Sequence, residues 1–242
     1  MKARRTLAAL LLAAAATPAV AAPPFLTDDP APTDFASWEI YAFTALDGHG
    51  PAFDNDSGLD LNYGAFKNVQ LTATLPLSFS RDAYRHVRSE TGDVEIAVKY
   101  RLVNDRRSGI SVAVFPRAML PTSSLDHDEK TRLLLPVWAE KDFAGGTSMF
   151  GGCGYEINPG PVNRGFWQAG AAVTQDLGER LTIGAELTRQ TSDSVGAPPE
   201  TAAGAGAIVK LSKHYSVLLS GGPTWADRQT RYHLYASLGL YF

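Results

Sequence analysis

The 242-residue sequence has a single cysteine, few charges and no long apolar run beyond its amino-terminal region. Because Cys153 has no possible partner in the chain, no intramolecular disulfide can form. Charged residues make up 19% of the sequence with a net charge of -3, which gives no basic surface for nucleic acid. No stretch of about eighteen apolar residues is present to form a transmembrane helix. Membrane insertion would therefore require a closed β-barrel, in which every backbone donor and acceptor pairs internally.

The amino-terminal region has the features of a secretory signal peptide. These are the cations Lys2, Arg4 and Arg5, an apolar run over 7–16, and the cleavage pattern Ala19-Val20-Ala21. The alternative, a retained anchor helix, is disfavoured because the run is short and Pro18 interrupts it. We therefore predict a signal peptide over 1–21. The Pro-rich, acidic stretch 22–37 cannot be a central strand and is predicted to be an extended periplasmic lead-in.

Residues 38–242 contain segments of alternating polarity, most clearly at the carboxyl end. One face of 231–242 carries Tyr232, Leu234, Ala236, Leu238, Leu240 and Phe242. The other face carries Arg231, His233, Tyr235, Ser237, Gly239 and Tyr241. A period of two indicates a strand with one apolar and one more polar side.

Twelve such segments follow one another along the chain. They are predicted at 38–45, 58–65, 69–79, 93–102, 110–119, 133–143, 147–158, 165–175, 181–189, 201–211, 215–223 and 231–242. Most of them have a length close to the roughly nine to eleven residues that a tilted strand needs to cross a bilayer. An even number is expected when both termini lie in the periplasm. The segments predict an all-β fold, a closed antiparallel transmembrane β-barrel of about twelve strands in an up-and-down meander.

The connections between these segments alternate in length, as in outer-membrane barrels. Short connections are predicted at 66–68, 103–109, 144–146, 176–180 and 212–214, and longer ones at 46–57, 80–92, 120–132, 159–164, 190–200 and 224–230. The terminal Phe242 matches the end signal by which the barrel-assembly machinery recognises its substrates. A soluble secreted all-β domain, such as an eight-stranded lipocalin-like barrel, is the alternative.

Five short motifs occur in a familiar order. They are PFLTDDP at 24–30, WEIY at 38–41, GDVEIAVKY at 92–100, LPVWAEKDF at 135–143 and RLTIGAEL at 180–187. Together they resemble the family of outer-membrane proteins named after the MetA-pathway of phenol degradation, over most of the predicted mature chain. The resemblance implies an outer-membrane barrel, often labelled a transporter, and no catalytic residues.

The polar faces of the predicted strands carry charges of both signs. The predicted lumen-lining residues are Glu39, Asp60, Glu95, Lys99, Arg101, Arg117, Glu140, Glu156, Glu186, Lys210, Arg231 and His233. They could line a selective polar pore. They could equally form a salt-bridge network that fills the barrel, since twelve strands lie between filled barrels and open channels.

Other chemistry has little support in the sequence. The histidines His49, His86, His127, His214 and His233 are scattered, which disfavours a zinc site. Asp54 to Asp60 resembles a calcium loop but lacks ligands at two positions, so we interpret it as an acidic outer loop. A basic cluster around Arg85 in another predicted outer loop could meet lipid phosphates or be simply solvated. No nucleophile elbow is present, and Ser237 and His233 would lie about 13 Å apart on a strand.

Three functional hypotheses follow. The first is a passive outer-membrane channel or transporter for small, hydrophobic or aromatic, molecules. The second is a structural or plugged barrel without transport, and the third is an outer-membrane hydrolase, which the missing catalytic motifs disfavour. We predict location in the bacterial outer membrane, contact with lipid and lipopolysaccharide, no cofactor, no metal and no nucleic-acid partner. The sequence does not determine the cargo, the oligomeric state, or whether 22–37 enters the lumen as a plug.

Overall fold

The structure is a computed structural model that describes residues 24–123, 130–227 and 229–242. The predicted signal peptide at 1–21 and His127 lie outside the described residues. Within these ranges no helix is long and apolar enough to cross a membrane.

The described residues form a single antiparallel sheet of 14 strand segments. The segments are β1 (Trp38–His49), β2 (Ala52–Phe66), β3 (Val69–Arg81), β4 (Val87–Thr91), β5 (Val94–Asp105), β6 (Ile110–Val114), β7 (Arg117–Leu120), β8 (Arg132–Phe143), β9 (Thr147–Ile157), β10 (Phe166–Asp176), β11 (Leu181–Gln190), β12 (Glu200–Lys210), β13 (Tyr215–Ala226) and β14 (Gln229–Tyr241).

The sheet closes on itself because β1 pairs with β14. Two positions around the barrel are each shared by two segments. The first is shared by β4 and β5, which pair with successive parts of β3. The second is shared by β6 and β7, which pair with successive parts of β5 and of β8. The result is a closed 12-strand antiparallel barrel, which confirms the predicted fold class and strand order.

Side chains alternate between the outside and the inside of the barrel along each strand. On β3, Leu71 is 46% exposed and Leu77 is 52% exposed, whereas Gln70 and Thr72 are 4% and 7% exposed. This inverts the ordinary arrangement of a soluble protein, in which apolar side chains are buried and polar ones are exposed. The apolar face of the strands therefore points outward and the polar face encloses the lumen, as the sequence pattern predicts for a membrane barrel.

The two ends of the barrel differ. We call the end at which β1 begins and β14 ends the near rim, where the backbone N–H of Trp38 donates to the carbonyl oxygen of Phe242 (2.7 Å). Its connections are short, at 67–68, 106–109, 144–146, 177–180 and 211–214. At the opposite end, the far rim, the connections are 50–51, 82–86, 121–131, 158–165, 191–199 and 227–228.

Two predicted long connections at the far rim are wrong. The expected loop at 46–57 is mostly strand, because β1 and β2 continue to a tight turn at 50–51. The expected loop at 224–230 is likewise reduced to 227–228. Backbone pairing does not require an apolar face, so polar residues continue a strand wherever the neighbouring strand offers partners. The Asn55 side chain, for example, donates to Thr44 Oγ1 (2.8 Å) across the β1–β2 pair.

Candidate functional site

The chain that precedes β1 lies inside the barrel, and we call residues 24–34 the lumen segment. It enters at the near rim, where the backbone N–H of Ala36 donates to the carbonyl oxygen of Gly64 (2.7 Å). Gly64 is required at this crossing, because a Cβ atom there would lie 1.9 Å from the carbonyl oxygen of Asp34. The sequence predicted a periplasmic lead-in over 22–37. The sequence left open whether this stretch enters the lumen as a plug, and its described residues 24–34 lie inside the barrel.

Polar contacts hold the lumen segment along its length. Thr27, Pro30 and Thr33 are among the most completely buried residues that the structure describes. The backbone N–H of Thr33 donates to Gln70 Oε1 (2.7 Å) on β3. Because buried polar groups must be paired, these contacts fix the path of the segment as well as its position.

At the middle of the lumen segment, Asp28 binds two cations of the wall. Asp28 Oδ1 lies 3.0 Å from Lys99 Nζ on β5, and Asp28 Oδ2 lies 2.6 Å from Arg117 Nη2 on β7. Lys99 Nζ also donates to the carbonyl oxygen of Asp29 (3.0 Å) and lies 3.7 Å from the Asp29 carboxylate. Lys99 is only 1% exposed, so the segment supplies the counter-charge that a buried ammonium requires.

An aromatic ring lies against both cations. Phe115 occupies the break between β6 and β7 and is 4% exposed. Lys99 Nζ lies 4.7 Å and Arg117 Cζ lies 4.2 Å from the centroid of its ring. Cations at this distance are attracted by the negative face of an aromatic ring. We call Lys99, Arg117 and Phe115 the Asp28 site.

Two opposing effects act on the Asp28 carboxyl. Burial by itself raises the pKa of Asp28, because it disfavours the charged form. The adjacent Lys99 ammonium and Arg117 guanidinium outweigh burial and leave the pKa of Asp28 below its ordinary value. Asp28 is therefore a carboxylate at neutral pH.

The next residues toward the tip of the segment bind a carboxylate of the opposite wall. Glu186 on β11 is buried and accepts three hydrogen bonds from the segment. The backbone N–H of Leu26 donates to Glu186 Oε1 (3.0 Å), and the backbone N–H and the hydroxyl of Thr27 both donate to Glu186 Oε2 (2.9 Å each). Hydrogen bonds to an ionised acceptor are about twice as strong as neutral ones.

The tip of the segment packs into a depression formed by glycines. A Cβ atom on Gly184 of β11 would lie 2.8 Å from the ring of Phe25, and one on Gly206 of β12 would lie 2.9 Å from it. The two missing side chains therefore create the space that the Phe25 ring occupies. The carbonyl oxygen of Pro24 accepts a hydrogen bond from the Ser220 hydroxyl on β13.

A cavity of about 370 Å³ lies toward the far rim from the tip. Its floor is formed by Pro24, Phe25 and Leu26. Asp47 and Glu200 line its walls and bind the guanidinium of Arg231, at 3.2 Å and 2.6 Å. The segment thus separates this outer chamber from the near rim.

A second cavity of about 230 Å³ lies beside the Asp28 site. Its lining includes Asp28, Phe43, Asp60, Asn62, Gln70, Thr72, Thr74, Glu95, Lys99, Phe115, Arg117 and Tyr235. The rings of Phe43 and Tyr235 are stacked, with centroids 6.4 Å apart and planes at 13°. This cavity therefore has a charged end at Lys99 and Arg117 and an aromatic surface contributed by β1 and β14.

Of the twelve residues predicted to line the lumen, five are buried (Glu39, Lys99, Glu156, Glu186 and His233) and the other seven are partly buried. Three of them bind the lumen segment, namely Lys99, Arg117 and Glu186. Six others bind wall or rim groups, in the pairs Glu39–Tyr41, Asp60–Thr74, Glu95–Arg117, Glu156–Arg132, Arg231–Glu200 and His233–Thr224. Arg101 binds the Asn68 side chain at the near rim. Glu140 and Lys210 are partly buried on β8 and β12.

Sequence reasoning missed the partners that the lumen segment brings. Asp28 and Asp29 stand in the motif at 24–30 and were assigned to the lead-in, and Phe115 was treated as an ordinary strand residue. One signal was available, because Lys99, Arg101 and Arg117 place three inward cations on neighbouring strands. Buried cations need paired anions, so this local group of three cations predicts carboxylates close to it.

No protein-family model matches the chain, and no curated protein matches it in sequence. Solved structures do match it in fold. An outer membrane channel from Pseudomonas putida F1 superposes with a TM-score of 0.70 at 8% identity, covering 88% of this chain and 97% of that one. The chain has the fold of outer-membrane β-barrels.

Two further solved structures share the fold. The KdgM porin in complex with disordered oligogalacturonate has a TM-score of 0.56 at 12% identity, covering 82% of this chain and 97% of that one. The CymD monoaromatic hydrocarbon channel has a TM-score of 0.50 at 8% identity, covering 86% and 88%. These neighbours share the outer-membrane barrel fold that the sequence resemblance implies.

Proposed function

We propose that the protein is a passive channel of the bacterial outer membrane for small molecules, and that the lumen segment closes it. The observation that carries the proposal is the way residues 24–34 are held. Apart from the packing of the Phe25 ring, ion pairs and hydrogen bonds to wall side chains hold them inside the barrel. Polar contacts of this kind can be exchanged for water or for a polar solute when the segment moves.

The proposed function also assigns an orientation in the membrane and a route of export. The near rim then faces the periplasm, the far rim faces the outside, and lipid and lipopolysaccharide surround the apolar wall. The predicted signal peptide at 1–21 would deliver the chain to the periplasm, and the strand ending in Phe242 would address it to the barrel-assembly machinery. The neighbours in fold are named as channels and porins, and we propose no catalytic activity.

A plugged barrel without transport is the second candidate, and the burial of Lys99 favours it. With the segment in place this lysine is 1% exposed and is paired with Asp28 and Asp29. These ion pairs exist only while the segment is docked, so they stabilise the closed state. The two candidates differ only in whether the segment ever leaves.

Planar-bilayer recording on the purified protein separates the two candidates. We compare the mature chain with a variant that lacks residues 24–34 and with a variant in which the same residues are scrambled at constant length. We expect few, brief openings for the mature chain and sustained conductance for both variants. If the folded deletion variant shows neither conductance nor uptake of small solutes into liposomes, the channel proposal fails and the plugged barrel stands.

A further inference from the structure

The Asp28 site has the construction of a carboxylate-binding site. Each oxygen of the bound carboxylate meets a different cation, at 3.0 Å for Lys99 Nζ and 2.6 Å for Arg117 Nη2. Both cations lie against the same buried ring of Phe115. Charge-assisted pairs of this geometry recognise carboxylates specifically.

The barrel wall alone supplies this arrangement. Lys99 lies on β5 and Arg117 on β7, and these strands are joined by a ladder that pairs Ala97 with Arg117. The neighbouring pair of Tyr100 with Val114 holds β6, which leads directly to Phe115. The backbone positions of Lys99 and Arg117, and the start of the Phe115 turn, are therefore set by strand pairing and not by the lumen segment.

The groups that bind the Lys99 ammonium, by contrast, all come from the lumen segment. Over the described residues, every hydrogen bond and ion pair of the Lys99 ammonium is to Asp28, Asp29 or Ala31. Arg117 keeps one wall partner, Glu95, at 3.6 Å. When the segment leaves, the Lys99 ammonium loses all of these partners, and a carboxylate from the lumen can take the place of Asp28.

Space for the rest of a ligand lies next to the two cations. The cavity of about 230 Å³ begins at Lys99 and Arg117 and is bounded elsewhere by the stacked rings of Phe43 and Tyr235. Asp60 and Glu95 line the same cavity, so an anion added beside Asp28 would be repelled. An anion that replaces Asp28 keeps the local charge unchanged, which favours exchange over addition.

We infer that Lys99, Arg117 and Phe115 form a binding site for the carboxylate of a small solute with an aromatic or similarly compact apolar body, and that Asp28 occupies this site as an internal substitute. The inference rests on the proposed function, because a solute reaches the site only if the lumen can open. The solute carboxylate and the Asp28 carboxylate then compete for the same two cations, so binding of the solute requires release of the segment.

The test measures binding of benzoate to the full mature chain in a non-ionic detergent, by calorimetry and ligand-observed NMR. Asp28→Asn removes the competing carboxylate at nearly constant shape. Asp34→Asn makes the same charge change at an exposed residue near the entry of the segment and serves as the matched control. Benzamide, the uncharged analogue, tests whether the carboxylate is recognised.

We expect Asp28→Asn to bind benzoate about tenfold more tightly than the unaltered chain, with Asp34→Asn unchanged. Adding Arg117→Gln to Asp28→Asn should abolish the gain, with folding checked by circular dichroism and by the heat-dependent shift on gels. The inference is overturned if Asp28→Asn binds no more tightly than Asp34→Asn. Equal gains for benzamide and benzoate, or a gain that survives Arg117→Gln, overturn it as well.

The outcome is separable from that of the proposed function. If Asp28→Asn binds benzoate selectively but the variant lacking 24–34 shows no conductance, the inferred site is supported and the channel proposal fails. Conductance in that variant without any selective binding to Asp28→Asn would keep the channel and remove the site.

Discussion

The lumen segment is held at two places that use opposite chemistry. At the Asp28 site the segment supplies the carboxylate and the wall supplies the cations Lys99 and Arg117. At Glu186 the wall supplies the carboxylate, and the segment supplies mainly backbone N–H groups. The first contact depends on the side chain at position 28, whereas the second would accept most side chains at position 26. The comparison indicates that the Asp28 site determines which segment is held, while Glu186 determines where its backbone runs.

Four substitutions or conditions test this difference, and one reporter serves the first three. Ala31→Cys introduces a thiol at a buried residue of the segment, and Cys153→Ser removes the native thiol. A charged, membrane-impermeant maleimide then labels the segment only when it leaves its docked position. The labelling rate therefore measures the docking equilibrium.

The largest effect is expected for Lys99→Met. Asp28 and Asp29 would remain buried without the Lys99 ammonium that lies against both of them, which should weaken docking by about 3 kcal/mol. The labelling rate at position 31 should rise roughly a hundredfold. Lys210→Met is the matched control, because this partly buried lysine on β12 forms no hydrogen bond or ion pair with the described part of the segment. Similar rates for the two variants would contradict the role assigned to the Asp28 site.

A smaller effect is expected for Glu186→Ala, which removes the acceptor of three hydrogen bonds. The two backbone donors can recover water from the outer cavity, so docking should weaken by about 2 kcal/mol. Labelling should rise roughly thirtyfold. The labelling rate of Glu186→Gln should lie between those of the unaltered chain and Glu186→Ala, because glutamine keeps one acceptor oxygen. If Glu186→Ala exceeds Lys99→Met, the ranking of the two contacts is reversed.

Phe25→Ala should act through packing alone. The ring fills the space left by Gly184 and Gly206, and it is only partly buried, so its loss should cost about 1 kcal/mol. We expect labelling to rise roughly fivefold. Phe35→Ala, at a ring that is 65% exposed near the entry point, should leave the rate unchanged and provides the control.

The smallest effect is expected for pH. The pKa of Asp28 is lowered from 3.8 when it is docked, so its contribution is complete above that value and is lost as the pH falls through the docked pKa. Lys99, Arg117, Asp29 and Glu95 face this carboxyl. Openings of the channel should therefore be constant near neutrality and become more frequent only below about pH 4. Asp28→Asn should remove this rise in opening frequency at low pH. An equal rise in that variant would show that another group titrates.

Individual strands show where the alternation of polarity predicted the structure correctly and where it did not. The alternation in 69–79 correctly predicted β3, and the alternation in 231–242 correctly predicted most of β14. The acidic run at 54–56 was interpreted as loop and is part of β2. Composition failed there because strand pairing above the lipid needs backbone partners rather than apolar side chains.

The candidate site could be predicted only in part, for a similar reason. Lys99, Arg117 and Glu186 were recognised as inward-facing because period-two alternation assigns each residue of a strand to one face. Their partners were not recognised, because Asp28 and Asp29 belong to no strand and follow no such period. Phe115 was missed because an inward aromatic residue carries no signal in the alternation.

The sequence by itself determined the strands, their order and the side of the wall on which each residue lies, because those properties depend on local periodicity and on pairing between consecutive segments. Only the tertiary structure decided what occupies the enclosed space. Lys99 meets Asp28 across 71 positions and Glu186 meets Thr27 across 159, and no local rule relates residues so distant in sequence. Closing the wall creates a volume whose polar groups must be paired, and the chain satisfies them with its own amino-terminal segment.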